Sequence, residues 1–342
     1  MARRLGDRRA LLDALMSDRA ARAGQPYPAS RFPDIRGIVD EMVVAAEEIG
    51  DPLLIDGALA HAMPVALEMG NSVALEVMLA RLDTNFEQHD AGASIYFNLS
   101  THAMQAILHG EFADAERLAE AAFEARRDFE YAAGVYGVQM FTIRREQGRL
   151  AEVAPVLRHF IDANPGNKAW RPGMALIASD LGFSEAARKS FEDLAADGFA
   201  FPVDAKFTLT LSYLAEVCAW LADVPRAERL YDRLLPYRDL AIVAPTATVC
   251  CGAAARYLGM LASTLGDWTA AEAHFEAALE MDQRLRAWPW LAHTKHQFAL
   301  MLLARGRPAD RNRSEMLLAE ASASAERFGM ASLQRKIQAI VR

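Results

Sequence analysis

The chain has 342 residues, 52% of them hydrophobic and 24% charged, which is ample material for a buried core and excludes a disordered polymer. Its formal net charge of −8 lacks the basic surplus that displaces counterions from a duplex, so no direct nucleic-acid binding is expected. The best uncharged apolar run, Val249 to Ala262, is interrupted by Arg256, so no membrane span is expected either.

Ala, Leu and Met dominate the apolar residues, and this favours helix. The start, Met1 to Asp7, lacks the apolar stretch of a secretion signal, and a cytoplasmic protein is expected. The three cysteines, Cys218, Cys250 and Cys251, read as buried thiols in a reducing compartment. Cys250 and Cys251 stand side by side in an apolar run taken as helical, where neighbours point about 100° apart and share a metal badly.

In chain order, a first helix is predicted near residues 5–20 and a second near 34–49, joined by a Pro-rich linker over 22–33. Together residues 1–50 form an irregular N-terminal pair. Residues 51–328 then repeat one phrase: a helix ending in a small residue, a short turn, and a second helix that opens on an apolar residue. The copies turn at Gly70, Gly110, Gly148, Gly182, Ala222, Gly266 and Gly306. The shortest step is Gly148 to Gly182, 34 residues, and the longest Ala222 to Gly266, 44 residues. Residues 329–342 close the chain with one more helix, and all 342 residues read as a single domain.

The second helix of each unit carries an apolar stripe in steps of three and four. Trp268, Ala271, Phe275, Ala278 and Leu279 form one, and Ala187, Phe191 and Leu194 another. The opposite face is charged, as at Glu116, Arg117, Glu120 and Glu124. Asp204 is a plausible N-cap for the helix through Phe207 and Leu211, Pro236 ends the helix carrying Tyr231, and Pro165-Gly166 breaks the chain between units. No segment alternates with strand period between hairpin turns, so no sheet is expected.

The small residue at the start of the stripe, with an aromatic four positions on, resembles the A-x3-F element of tetratricopeptide repeats. Leu258-Gly259 stands where that pattern has Leu-Gly, and Leu214-Ala215 and Phe298-Ala299 are its variants with alanine. The resemblance implies an all-α fold, a right-handed α-solenoid of antiparallel helix pairs.

The stretches 108–119, 144–155, 193–199, 256–259, 265–267 and 290–294 also resemble the helical C-terminal region of large bacterial regulators. In those, an AAA/STAND-type ATPase is joined to helical repeats, sometimes with a LuxR-type or adenylate-cyclase-like domain. The G-x-x-x-x-G-K-[ST] loop of such an ATPase is absent from this sequence, as is a helix-turn-helix after the last repeat, so the chain reads as a truncated homologue or a piece of a larger protein. The resemblance implies sensing or partner holding in regulation and carries over no catalytic residue.

No H-E-x-x-H, G-x-S-x-G or Cys/His metal spacing is present, and no enzyme activity, metal or cofactor is expected. Laying the tetratricopeptide phase onto the first helices points to a concave groove lined by Phe97, Ser100, Met104, Arg145, Ser212, Glu216, Trp220, Arg256, Met260, His293 and His296. Aromatic anchors, charges and adaptable methionines suit capture of a protein or peptide. Phe97, Met104 and Trp220 fit inter-repeat core equally well. Arg256, a charge inside a run of Cys, Ala, Leu and Met, requires an acid or a ligand beside it, and Glu216 is its natural internal partner. The main alternative is a small-molecule effector held in the groove. An enzyme on the same scaffold would need clustered titratable groups. A homo-oligomer is an option where Leu11, Leu12 and Leu15 or Ile340 and Val341 leave apolar ends.

Overall fold

The computed structural model describes residues 6–341, apart from 23, 24, 26, 28, 89–91, 154 and 156–170. The Pro165-Gly166 break and part of the 22–33 linker lie outside the described residues. The helices are α1 (Arg8–Ala21), α2 (Phe32–Ile49), α3 (Pro52–Glu68), α4 (Ser72–Gln88), α5 (Gly92–His109), α6 (Phe112–Ala125) and α7 (Glu130–Glu146). They continue with α8 (Arg171–Asp180), α9 (Ser184–Ala195), α10 (Phe207–Leu221), α11 (Val224–Leu234), α12 (Ala254–Leu265), α13 (Trp268–Arg284), α14 (Trp288–Arg305), α15 (Asp310–Arg327) and α16 (Ala331–Val341). The protein is helical throughout the described residues except for one small hairpin.

Consecutive helices pack on each other from α1 to α7 and from α8 to α16, and the turns from Gly70 to Gly266 share one construction. The residue at the turn takes a positive φ, and the next N–H reaches back to a carbonyl five residues earlier. Asn71 bonds Ala66 at 2.8 Å, Glu111 bonds Ala106 at 2.8 Å, Arg149 bonds Arg144 at 2.7 Å, and Phe183 bonds Ala178 at 2.8 Å. This satisfies carbonyls that the helix end would otherwise leave open. Asp267 and Asp223 then cap the following helix through the N–H of Ala270 and Arg226. Asp204, three residues before α10, instead accepts from the Lys206 N–H in a local turn, and Lys206 holds the cap position.

Ala222 holds this left-handed position with φ 51° where the other six units use glycine. The conformation costs an L-residue about 1–2 kcal/mol, of which glycine's greater chain entropy would return part. Ala222→Gly is therefore expected to stabilise the fold by about 0.5–1 kcal/mol, read as a higher urea midpoint. A lower midpoint would count against the strain.

The second-helix stripes pack as their spacing predicts. Phe275 lies on Gly259 so closely that a Cβ there would sit 2.9 Å from the ring, and it stacks on Phe298 with centroids 5.4 Å apart. Leu11, Leu12 and Leu15, expected as a candidate apolar end, are buried in the main core.

The sheet corrects an expectation. Ala241–Val243 (β1) pairs antiparallel with Cys250–Ala253 (β2), Ala241 opposite Ala253 and Val243 opposite Cys250. Both strands are buried along their length, so the sequence shows a continuous apolar run and no alternation. The bend uses Thr246 and Ala247 at φ 53° and 57°, without the glycine or asparagine that signals a hairpin. Cys250 and Cys251 are thus strand residues, not helical ones. Gly252 is obligatory in β2, because a Cβ would lie 2.6 Å from Trp290 and 2.7 Å from the Asp282 carboxylate.

The chain also folds back on itself with a fixed step. The Arg284 Nε, at the end of α13, donates to the Gly70 carbonyl at 3.1 Å. Phe328, after α15, covers Gly110, where a Cβ would meet its ring at 2.8 Å. Arg335 of α16 donates to the Gly148 carbonyl at 3.4 Å. Each turn is thereby covered by residues from about five units further along. In the interior, α3 meets β1, α5 meets α14, and α7 meets α16.

Candidate functional site

A buried charged centre lies where these first helices converge. α7 supplies Glu146 and Arg145, neighbours whose side chains diverge to different partners. The Arg145 Nε donates to Asp180 at 2.6 Å from the end of α8, and its two terminal nitrogens donate to Glu216 on α10. Glu216 also faces Arg256 of α12, 3.5 Å from its Nη2. The Arg256 guanidinium rests on the Tyr257 ring, 4.1 Å from its centroid, with Trp290 beyond at 5.8 Å. Lys336 of α16 completes the other side of Asp180 at 2.6 Å. Next to this group the His293 Nε2 and the Glu146 carboxylate share a hydrogen bond of 2.8 Å, and Trp290 stacks on His293.

The electrostatics follow from burial opposed by neighbouring charge. Burial pushes the Glu216 carboxyl up, but Arg145 and Arg256 outweigh it and hold it down to about 2. Burial acts likewise on Asp180, and Arg145 with Lys336 holds it well below the carboxylate range. Burial pushes the Cys251 thiol up to about 12, so at neutral pH it is held as the neutral thiol. Burial, with His293 and Lys336 nearby, lowers His296 to about 3 and keeps it neutral. Several atoms here make no hydrogen bond among the described residues, including the Arg256 Nε, the Trp290 Nε1 and both nitrogens of His296. Among the described residues no group of three His, Cys, Asp or Glu side chains is placed to hold a metal ion.

The structure brings Arg145, Glu216, Arg256 and His293 of the predicted groove together. It places them in the interior rather than along an open trough. Ser100, Met104, Ser212, Met260 and His296 are buried as well, with Ser212 bonded to the Leu209 carbonyl and Ser100 to that of Phe97. Phe97 is half-buried against the core. The physical reason is the five-unit fold-back: the face expected to line a groove is filled by the hairpin, α14 and α16 of the same chain. Trp220 alone points outward, 45% exposed. Sequence reasoning missed Glu146, Asp180 and Lys336, whose partners lie far off in sequence and leave no local mark.

Three turns in the row are covered by distant parts of the chain, and the turns at Gly182, Gly266 and Gly306 have no such neighbour among the described residues. No described residue lies within 4 Å of where a Cβ on Gly182 would be. Phe183 beside it is 60% exposed, and Trp220 and Val224, flanking the Ala222 turn, are 45% and 50% exposed. Lone exposed apolar side chains are ordinary, but these three stand on consecutive turns of one row.

No family model matches the chain, and no curated protein matches it. Among the described residues no helix is long and apolar enough to cross a membrane.

Proposed function

We propose that this chain is a non-catalytic scaffold, a right-handed α-solenoid of tetratricopeptide-like helix pairs, that recognises a helical protein partner in a regulatory assembly. The observation that carries it is the row of turns. At Gly70 and Gly110 a helix end sets Arg284 or Phe328 on the turn, and at Gly148 Arg335 from the middle of α16 does so. At Gly182 and Ala222 the same kind of ledge presents Phe183, Trp220 and Val224 to solvent. A partner helix with an apolar face and an arginine or lysine in its last turn would repeat the contact that Arg284 and Phe328 make. The interior supports a structural role for its charges, since acids and bases there are paired with one another.

A photo-crosslinking residue placed at position 220 in cells tests this, with Met316, exposed on α15, as the control site. One specific protein should be captured from 220 and not from 316, and Phe183→Glu in the same chain should abolish that capture with the helical circular-dichroism spectrum intact. Identical capture at both sites would remove the ledge as the recognition surface.

A further inference from the structure

A cleft apart from the charged centre has the makings of a ligand site. It has a volume of about 190 Å³ and opens between α1 and α3 on one side and the β1 segment on the other. Pro64 and Val243 contribute to walls that are mostly apolar, and Arg19, Tyr27, His61 and Glu68 gather on the α1–α3 side. An engineered cavity of about 150 Å³ holds benzene, so this one has room for a single ring or a branched chain of similar bulk.

The polar side is unevenly satisfied. Tyr27 donates its hydroxyl proton to Glu68 at 2.5 Å. Arg19 stands 3.6 Å from the same carboxylate, too far for a hydrogen bond. The Arg19 side chain is only 12% exposed, and its Nε is buried with no hydrogen-bond partner among the described residues. Arg22, the other cation lining the cleft, is already held by both oxygens of Asp18. A buried guanidinium with one loose ion pair gains from a second acceptor, and a carboxylate is the group that matches its geometry. Burial, then the Arg19 charge, lowers His61 and keeps it neutral, so one of its ring nitrogens can donate. An ammonium ligand would be repelled by Arg19, and Glu68, the acid lining the cleft, already accepts from Tyr27 and faces Arg19 through its Oε2.

We propose that this cleft binds a compact monocarboxylate, aromatic or branched aliphatic, with its carboxylate on Arg19 and its apolar body against Pro64 and Val243. The proposal is independent of the Trp220 ledge and stands or falls separately from it.

Calorimetric titration of the full chain with benzoate, 3-methylbutanoate and the neutral isostere benzamide tests it. At least one of the two acids should bind with Kd of about 0.1–1 mM, as suits a ligand of this size. Benzamide should bind at least about tenfold more weakly than benzoate, and Arg19→Met should bring benzoate down to the benzamide level. Val243→Phe, which fills the apolar side, should weaken both. Equal affinity for benzoate and benzamide in the unmodified chain would overturn the carboxylate assignment without recourse to any variant. No binding of either acid at about ten times the expected Kd would overturn the site itself.

Discussion

Glu216→Leu is expected to cost the fold about 3–5 kcal/mol, the range for breaking a buried ion pair from one side. Glu216 is shared by two buried arginines. Arg145 would keep Asp180, but Arg256 would lose the one carboxylate among the described residues within salt-bridge distance of it and would be left on the Tyr257 and Trp290 rings. An uncompensated guanidinium in the interior is far costlier than a lost contact. The double variant Glu216→Leu with Arg256→Met should recover part of the loss, because it removes the orphaned charge together with its partner. Urea unfolding at neutral pH measures both. A single-variant loss below about 1 kcal/mol, the scale of an exposed ion pair, would mean that water reaches the centre.

The second large effect is a dependence on pH. Asp282, at the base of the hairpin, accepts from the Ala253 N–H at 2.8 Å and from the Thr294 hydroxyl at 2.7 Å. Burial raises its carboxyl to about 6, although both hydrogen bonds and Arg256 pull the other way. The unfolded chain releases that proton near the ordinary aspartate value of about 3.9. Between the two values the native state holds a proton that the unfolded state has lost, so stability falls as pH rises. The contribution is complete below about 3.9 and gone above about 6, a swing of roughly 2–3 kcal/mol. Asp282→Asn keeps an acceptor for Ala253 and has no charge to bury. The difference in stability between Asp282→Asn and the unmodified chain should be small near pH 4 and favour asparagine by roughly 2–3 kcal/mol above pH 7. Taking the difference cancels the opposite trend from Asp180 and Glu216, whose depressed carboxyls lose stabilisation as pH falls. A difference that stays flat across this window would show that Asp282 is ionised throughout.

Much of the local structure was written in local pattern. The turn residues at Gly70 through Gly306, the stripe of Ala271, Phe275 and Ala278, and the fit of Phe275 on Gly259 all follow from spacings of three, four and about forty residues. The demand of Arg256 for an acid was also legible, and Glu216 is that acid. What escaped was non-local or locally unmarked. The hairpin bends at Thr246 and Ala247, residues that carry no turn signal, and both its strands are buried, which erases alternation. The Lys336–Asp180 and His293–Glu146 pairs join residues 156 and 147 apart, a separation that no periodicity records. For the same reason the expected groove lining became interior: nothing in the first helices announces that α14, α16 and the hairpin will lie against them. The outward direction of Trp220 depends on the same fold-back, which stops short of its turn.

The fold-back at five-unit intervals also changes how the molecule should come apart. A row of helix pairs that touch only their neighbours behaves as a one-dimensional array, fraying from its ends and melting in patches. Here Arg284, Phe328 and Arg335 tie the last third of the chain to turns in its first half, across 214 residues in the case of Arg284 and Gly70. Neither end is then a free terminus from which melting can spread at low cost, and loss of the C-terminal helices would uncover the N-terminal ones. The array behaves as a loop closed by weak clasps, whose parts unfold together or not at all, and whose assembly waits on contacts between distant segments.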